Sequence, residues 1–274
     1  MTDSFSDHIT ALFQGTEIQH KLPVSSLFEG IYLPEYHLQI NFISLTHPAI
    51  NDIDTDYFSQ LSDEAAQQHI RLIHLWSDVY EKHKPLVEAR LLALIGKRKR
   101  IHARQTNVVR LDKKQADDFL NTHHLQQSTG AYYKYGLALN DELIAVATFS
   151  KSRVMNDGPV LYRSYELVRF ASKTGTTVTG GLSKLLKHFI HEHHAVHIMT
   201  YADRDWSSGA GYEKLGFNFI ETTPSQVFYI RPEEGIRYPQ FRLPLGVTES
   251  GLERQGYLKI ANSGNLKYIL DRRK

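Results

Sequence analysis

The chain has 274 residues, of which 41% are hydrophobic and 23% are charged, and its formal net charge of +2 points to no class of partner. Cysteine is absent, which excludes disulfides, thiolate metal sites and a cysteine nucleophile and fits a reducing compartment. We expect a soluble, cytoplasmic protein, because no apolar run approaches the roughly 18 residues of a membrane span and the first residues lack the apolar core of a secretory signal.

Alternating apolar residues predict strands in the first hundred residues. Residues 28–45 alternate like two strands joined at Pro34 and Glu35, and residues 69–78 form an apolar run that is typical of a buried strand. Residues 79–96 have helical periodicity, at least after Pro85. The first part of the chain is therefore expected to be a small α/β domain.

A basic segment, GKRKR, follows this helix and predicts a loop or linker. Such a cluster can bind the phosphate backbone of a nucleic acid, but a solvated linker has the same composition, and both interpretations stay open. The cluster also marks the predicted boundary between domains of residues 1–96 and 97–274. Its basic members are Lys97, Arg98, Lys99 and Arg100.

From residue 104 onward, hydrophobic periods and turn residues predict alternating helices and strands. Helices are expected at 115–125, 178–190 and 206–216. Single strands are expected at 162–172 and 197–204, and strand pairs at 132–153 and 217–230. This order predicts an α/β (α+β) fold, a mixed sheet with flanking helices. Beyond residue 230 the pattern predicts only a closing hairpin near KIANSGNLKYI.

The segment VTGGLSKLLKHFI, which begins at Val178, predicts a glycine-rich turn that leads into a helix. The first N–H groups of a helix favour anions, so a phosphate is the ligand expected here. We expect a side chain at Gly181 to obstruct that ligand while leaving the fold largely intact.

This order of elements, with the glycine turn and the later GYEKLGF, resembles the GNAT acyltransferase fold. The resemblance implies that an acyl-CoA is bound with its diphosphate at the glycine turn. The cofactor-binding residues would be Gly180, Gly181, Leu182 and Ser183.

Residues 104–230 also resemble GNAT-like proteins of bacteriophages, in particular the Mom DNA-modification proteins, in the segments NTHHLQQ, YELVRFAS, GGLSKLLKHF and TYADRDWSSGAGYEKLGF. This resemblance implies a DNA-modifying protein of the host cell cytoplasm and raises the possibility of a bound iron. Carried over position by position, it implies a site of His124, Arg169, Ser183, Asp203 and Tyr212.

Each of these residues also has a structural interpretation. His124 follows a predicted helix, where a hydrogen-bonded histidine is common, and Asp203 belongs to a charged turn after a predicted strand. Asp205 would suit the N-cap of a helix at Trp206. Tyr212 shares a helix face with Leu215, which fits core packing as well as catalysis.

The N-terminal hundred residues resemble Vsr-type, restriction-endonuclease-like domains, in the segments FEGIYLP, INFIS and IRLIHLWSDVY. The resemblance places Gly30 and Asn41 where those domains hold Mg²⁺ with an aspartate and a glutamate. Mg²⁺ requires anionic oxygen ligands, so this α/β nuclease-like domain is expected to have lost its chemistry.

The resemblances together imply acyl transfer from an acyl-CoA to an amine of a nucleic-acid base, with DNA as the expected partner. His124 or Asp203 would act as base and Tyr212 as acid, and Lys97–Arg100 would hold the nucleic-acid backbone. Two alternatives stay open: a nucleic-acid-binding accessory protein without catalysis, and an acetyltransferase for a protein or small-molecule amine.

Overall fold

Seven helices and sixteen strands are present in the computed structural model, which describes residues 5–158, 160–244 and 246–273. The helices α1 to α7 span Phe5–Ala11, Tyr57–Gln67, Ser77–Leu94, Lys113–His123, Gly181–His193, Ala210–Glu213 and Glu249–Arg254. The strands β1 to β16 span Gly30–Leu33, Leu38–Ile43, Arg71–Trp76, Lys99–His102, Asn107–Arg110, Tyr133–Leu139, Glu142–Phe149, Arg153–Asp157, Val160–Ser172, Thr176–Thr179, His197–Asp203, Asn218–Thr222, Val227–Arg231, Ile236–Pro239, Leu258–Ala261 and Asn265–Asp271. In these described ranges, no helix combines the length and the apolar character that crossing a membrane requires.

The chain divides into two compact units whose segments alternate along the sequence. The first unit consists of Met1–Lys84, Ala202–Gly209 and Thr222–Leu266, and the second of Pro85–Tyr201, Ala210–Glu221 and Lys267–Lys274. The first boundary therefore lies twelve residues before the basic segment that was expected to mark it. Most of the predicted C-terminal extension belongs to the first unit rather than to the second.

Two small sheets enclose the core of the first unit. In one, β1 pairs antiparallel with β2, and β2 pairs parallel with β3; in the other, β13 lies between β14 and β15. Apolar residues of both sheets and of α2, including Phe58, Trp76, Ile230 and Ile260, form one buried cluster. The predicted strands at 28–45 and 69–78 are confirmed, and the packing explains why they are so apolar: both faces are covered.

Gly30 and Asn41 stand opposite each other in the β1–β2 ladder, so the two positions that the nuclease resemblance singled out are cross-strand neighbours. Asn41 is fully buried, and its Oδ1 accepts a hydrogen bond of 2.9 Å from Gln39 Nε2. A Cβ atom at Gly30 would lie 2.4 Å from the carbonyl oxygen of Ile40. The backbone of β2 therefore fills the space that a side chain at position 30 would need.

The second unit is built on an eight-stranded mixed sheet, which confirms the predicted α/β class with flanking helices. The strands follow the order β12-β16-β11-β9-β7-β6-β5, and β8 pairs with β9 outside this path. Helix α4 packs its apolar residues on Val146 and Ala171 of the sheet. Helix α5 lies over β6 and β7, where the Phe189 ring stacks on Phe149 with centroids 3.8 Å apart.

Three predicted elements differ in detail. The basic segment begins with a loop at residues 96–98, as expected, but Lys99 and Arg100 belong to strand β4. Strand β4 pairs parallel with β10, a strand that the pattern did not predict. The helix expected at 206–216 is confined to Ala210–Glu213. The expected closing hairpin is wrong, because β15 pairs with β13 while β16 enters the large sheet between β12 and β11.

Replacing Gly30 with Asp and Asn41 with Glu should not create a nuclease. The new side chain at position 30 must displace the β2 backbone, so we expect destabilisation of about 1–3 kcal/mol, the usual cost of overpacking. Thermal melting and Mg²⁺-dependent nicking of plasmid DNA measure the two effects. Gly130→Asp, where a new Cβ contacts nothing within 4 Å, controls for the added charge. Nicking by the wild-type chain, or by a stably folded double variant, would contradict the prediction that this unit does not cleave DNA.

Candidate active site

The large sheet opens between two neighbouring parallel strands. The register of β9 with β11 covers only Ser164–Leu167 against His197–Thr200, although β9 continues to Ser172 and β11 to Asp203. At the last paired position, Thr200 Oγ1 donates a hydrogen bond of 3.0 Å to the carbonyl oxygen of Leu167. Beyond this junction β9 remains paired with β7 on its other side. The carboxyl ends of parallel strands are a usual place for ligands in such folds.

His124 ends helix α4, where its backbone N–H donates to Leu120 and its Nδ1 accepts a hydrogen bond of 3.1 Å from the Gln126 N–H. Burial, together with the positive charges of Arg169 and Arg90, lowers the pKa of the imidazole to about 3. The ring is therefore neutral at physiological pH. Its orientation is fixed by the turn that follows α4.

Arg169 lies on β9 directly opposite Thr148 of β7. Its Nε donates to the carbonyl oxygen of Gln127 at 3.2 Å and one terminal nitrogen donates to that of Val168 at 2.9 Å. These bonds fix the guanidinium between the sheet and the turn that carries His124. The Thr148 hydroxyl oxygen is buried there without a hydrogen-bond partner among the described residues, which leaves a polar atom for a ligand or water to satisfy.

Tyr212, on the short helix α6, belongs to the same group of residues. Burial raises the pKa of its hydroxyl, while a hydrogen bond with Thr200 and the charges of Arg90 and Arg169 act in the opposite direction. Its ring also packs against Phe217 and Tyr268, with centroids 5.6 Å away in each case. Tyr212 thus fulfils the core-packing interpretation and still directs its hydroxyl to the strand junction.

The structure therefore brings three of the predicted residues, His124, Arg169 and Tyr212, into one cluster. Sequence reasoning missed Arg90 and Thr200, which influence the same groups. Arg90 had a usable signal, because it interrupts the apolar run of helix α3 in LVEARLLAL. Thr200 had none, since a threonine within a predicted strand is unremarkable.

Asp203 lies at the end of β11 and belongs to the first unit. Its carboxylate accepts a hydrogen bond of 3.0 Å from the backbone N–H of Asp205. Asp205 itself is buried, and its carboxylate accepts from the backbone N–H and the hydroxyl of Ser263 at 2.9 and 2.5 Å. It therefore caps no helix at Trp206; instead it ties two segments of the first unit together.

Gly180 and Gly181 have different reasons to be glycine. Gly180 is the N-cap of α5 and has a φ of 77°, in the left-handed region where a residue with a side chain is strained. As a glycine, it also has no side chain to cap the helix. Gly181 is buried, and a Cβ there would lie 3.0 Å from Cβ of Val178. A side chain at Gly181 would press on Val178, so the expectation that the fold tolerates Gly181→Val depends on whether Val178 can shift, and it stays a prediction. Ser183 lies in the first turn of α5 and is half-buried.

The beginning of α5 packs beside the segment that follows β4. Lys184 Nζ donates to the carbonyl oxygens of Ala103, at 3.0 Å, and of Thr106. Because β4 and β10 are parallel, their carboxyl ends lie together at this edge. His102 lies opposite Thr179 at this edge, while Lys99 and Arg100 lie opposite Thr176 and Thr177 at the other end of the strand pair.

Arg98 differs from the other basic residues of this segment. It is half-buried, and its guanidinium donates to the carbonyl oxygen of Ala93 in the last turn of α3. Lys97, Lys99 and Arg100 are exposed. A positive charge at a helix C-terminus is stabilising, so Arg98 has a structural role, and the expectation that it binds nucleic acid is not supported by its position.

The possible iron finds no donor set in the part of the chain that the structure describes. Within those residues, no group of three or more histidine, aspartate or glutamate side chains could hold a metal ion. The hydroxyl groups and arginines of the cluster around His124 do not suit a transition metal either. No metal is therefore assigned to this site.

Sequence comparison with known protein families gives no match, and comparison with curated proteins gives none either. Solved structures give partial similarity. One is a histone acetyltransferase HPA2 and related acetyltransferase from Corynebacterium glutamicum, at 12% identity, TM-score 0.39, covering 62% of this chain and 98% of that one. A Bacillus subtilis acetyltransferase in complex with CoA has 15% identity, TM-score 0.37 and coverages of 61% and 98%. The ribosomal-protein-S18-alanine N-acetyltransferase from Escherichia coli has 15% identity, TM-score 0.36 and coverages of 61% and 94%. Similarity at this level establishes neither a family nor an activity.

His124 should make stability depend on pH. Its folded-state pKa of about 3 lies below its usual value of 6.5. Between those values the unfolded chain binds a proton that the folded chain does not, so stability falls as the pH falls. His124→Gln should remove up to about 1.4 kcal/mol per pH unit from this dependence, the contribution of one proton. Urea unfolding at pH 7, 5.5 and 4.5 measures the slope. His191→Gln, which replaces an exposed histidine of α5, should leave the slope unchanged. If His124→Gln also keeps the wild-type slope, the lowered pKa of His124 is contradicted.

Proposed function

We propose that this protein is a GNAT-type acyltransferase that transfers an acyl group from acyl-CoA to an amine of a nucleic-acid base, as its likeness to phage Mom-like proteins implies. The observation that supports it best is the convergence of His124, Arg169 and Tyr212. These residues come from separate segments, were singled out by resemblance alone, and meet where β9 and β11 part. Core packing alone gives no reason for a histidine, a tyrosine hydroxyl and two arginines to converge at an opening in a sheet.

The start of α5 is the proposed site of the CoA diphosphate. Gly180 leaves the N–H groups of Gly181, Leu182 and Ser183 at the first turn without a capping side chain. Such groups bind phosphate oxygens, and the macrodipole of a 13-residue helix favours the negative charge. The pantetheine arm would run along the opened edge of β9, where the backbone polar groups beyond Leu167 have no β11 partner in the register.

The proposed reaction joins the amine nitrogen of the acceptor to the thioester carbon and breaks the carbon–sulfur bond. The proton lost by the amine passes to His124, and the departing thiolate takes a proton from Tyr212. The raised pKa keeps the Tyr212 hydroxyl protonated until the thiolate forms. Orientation of the two substrates contributes the larger share of the acceleration.

The arginines give this scheme a particular feature. Burial lowers the pKa of His124 most, and the charges of Arg169 and Arg90 lower it in the same direction, so the free protein holds a weak base. A negative charge that the acceptor brings close to the imidazole would act the opposite way and raise its pKa. Base strength would then depend on the presence of a negatively charged substrate. A nucleotide supplies such a charge in its phosphate, which favours a nucleic-acid acceptor over a neutral small-molecule amine.

The proposal predicts that CoA binding and turnover separate in two variants. His124→Ala and Tyr212→Phe should keep the affinity for CoA within about twofold and lower product formation roughly 10²-fold, the usual scale for a lost acid or base. Calorimetry with CoA and mass analysis of nucleosides from DNA of expressing cells are the measurements. Tyr268→Phe removes a neighbouring buried hydroxyl that bonds Glu213 and is the matched control. A wild-type chain without affinity for CoA at millimolar concentration would overturn the proposal.

We propose that the exposed basic residues around the start of β4, Lys97, Lys99 and Arg100, hold the nucleic-acid backbone. Changing Lys97, Lys99 and Arg100 to Ala should weaken DNA binding several-fold and reduce its salt dependence, because fewer phosphates are neutralised. Anisotropy titrations between 50 and 200 mM salt measure both quantities. Arg98 is left unchanged, since its bond to Ala93 stabilises α3. If the triple variant loses CoA affinity instead, these residues serve the cofactor phosphates.

A further inference from the structure

A two-stranded ribbon extends from the large sheet of the second unit. It consists of β8, Arg153–Asp157, and the first residues of β9, 160–164, paired antiparallel from Arg153 with Ser164 to Asp157 with Val160. Strand β8 pairs with β9 outside the main strand order, and the register of β9 with β11 begins only at Ser164. In the described part of the chain, residues 160–163 therefore have β8 as their one strand partner.

The two faces of this ribbon differ. On one face the centroid of the Tyr162 ring lies 4.9 Å from the centroid of the His197 ring and 3.8 Å from the guanidinium carbon of Arg273. On the other face Val154 and Leu161 are 68% and 69% exposed. One face is thus anchored to the body of the unit, and the other presents apolar side chains to solvent.

Exposed apolar residues on a ribbon indicate a surface that something covers. Positive charge accompanies them, because Arg163 pairs with Val154 on this same face and is exposed. Lys151, just before the ribbon, is exposed as well, whereas Arg153 pairs with Ser164 on the anchored face. The segment 151–164 contains these three basic residues and one acidic residue, Asp157. The partner should therefore carry negative charge and also offer apolar contacts at a spacing of a few ångströms.

We propose that the β8–β9 ribbon enters the major groove of duplex DNA. This inference deepens the proposed function and depends on the nucleic-acid part of it, because it names duplex DNA as the polymer that is bound. The major groove offers both required chemistries, since phosphates line its rim and thymine methyl groups lie on its floor. Arg163 would contact phosphates or guanine edges, and Val154 and Leu161 the methyl groups.

The dimensions agree with this assignment. Two paired strands lie about 4.8 Å apart and five residues extend about 17 Å, whereas the major groove of B-form DNA is about 12 Å wide and admits a two-stranded ribbon. The major groove of A-form RNA is too narrow and deep for side chains to read. The ribbon should therefore distinguish duplex DNA from duplex RNA.

A second copy of this chain fits the surface less well. A symmetric dimer places the same patch on both sides of the interface, so the positive charge of one ribbon would face that of the other. Like charges directly opposite each other are destabilising. DNA neutralises the same charges and releases counterions when it binds.

The test uses the full-length chain and a fluorescently labelled DNA duplex, an RNA duplex of the same sequence, and anisotropy at several salt concentrations. We expect DNA to bind at least about tenfold more tightly than RNA. Arg163→Ala should weaken DNA binding several-fold and lower the salt slope by up to about 1, whereas Arg153→Ala, on the anchored face, should change both quantities less. Val154→Ser with Leu161→Ser should weaken it by about three- to tenfold at an unchanged slope, because only apolar contacts are lost. Lys113→Ala with Lys114→Ala removes two exposed charges that are already paired with Asp117 and Asp118 and is the matched control.

Several outcomes would overturn the proposal. They are absence of DNA binding by the wild-type chain, equal affinity for DNA and RNA, or unchanged affinity in both Arg163→Ala and Val154→Ser with Leu161→Ser. Sedimentation that shows a dimer lost in Val154→Ser with Leu161→Ser, together with unchanged DNA binding, would assign the surface to a second copy. CoA affinity, measured on the same variants, should not change. A chain that binds DNA through the ribbon but does not bind CoA would defeat the acyltransferase and leave this inference standing.

Discussion

The hydrogen bond from the Thr200 hydroxyl to the carbonyl oxygen of Leu167 marks the last point at which β9 and β11 act as neighbours. Just past it, the register of β9 with β7 shifts so that no β7 residue stands opposite Val168, and the Val168 carbonyl oxygen accepts a bond from Arg169. The side chain thus satisfies a backbone group where the strand is irregular. Tyr212 is tied to the same point through Thr200.

The fixed position of Arg169 explains part of the lowered pKa of His124. A guanidinium fixed by two backbone carbonyls cannot move away from the imidazole, so burial and charge act on His124 together. Groups with strongly shifted pKa values concentrate at functional sites, where burial and charge are arranged around the chemistry.

Local pattern was enough to predict the elements that carry the candidate site. Helix α4, strands β9 and β11 and helix α5 each show a clear hydrophobic period, and their order along the chain indicated the fold. The pattern did not predict β10, which is four residues long and pairs with β4 some 75 residues away, or the insertion of β16 between β12 and β11. Pairings of this kind depend on contacts between distant segments, which periodicity does not encode. Arg98 was misinterpreted for a similar reason: its composition suggested a ligand, and its position after a helix decides its role.

The alternation of the two units along the chain limits how they can be separated. The first unit takes Ala202–Gly209 and Thr222–Leu266 from between elements of the second. Its core joins Phe28 and Trp76 of the N-terminal part to Ile230 and Ile260 of the C-terminal part. Removing residues 1–96 would therefore expose Ile230 and Ile260, which are 0% and 4% exposed in the intact chain, and truncation would destabilise what remains by losing apolar burial. The nuclease-like resemblance of this unit has to be tested by point substitutions in the whole chain, because no single cut releases the first unit with its complete core.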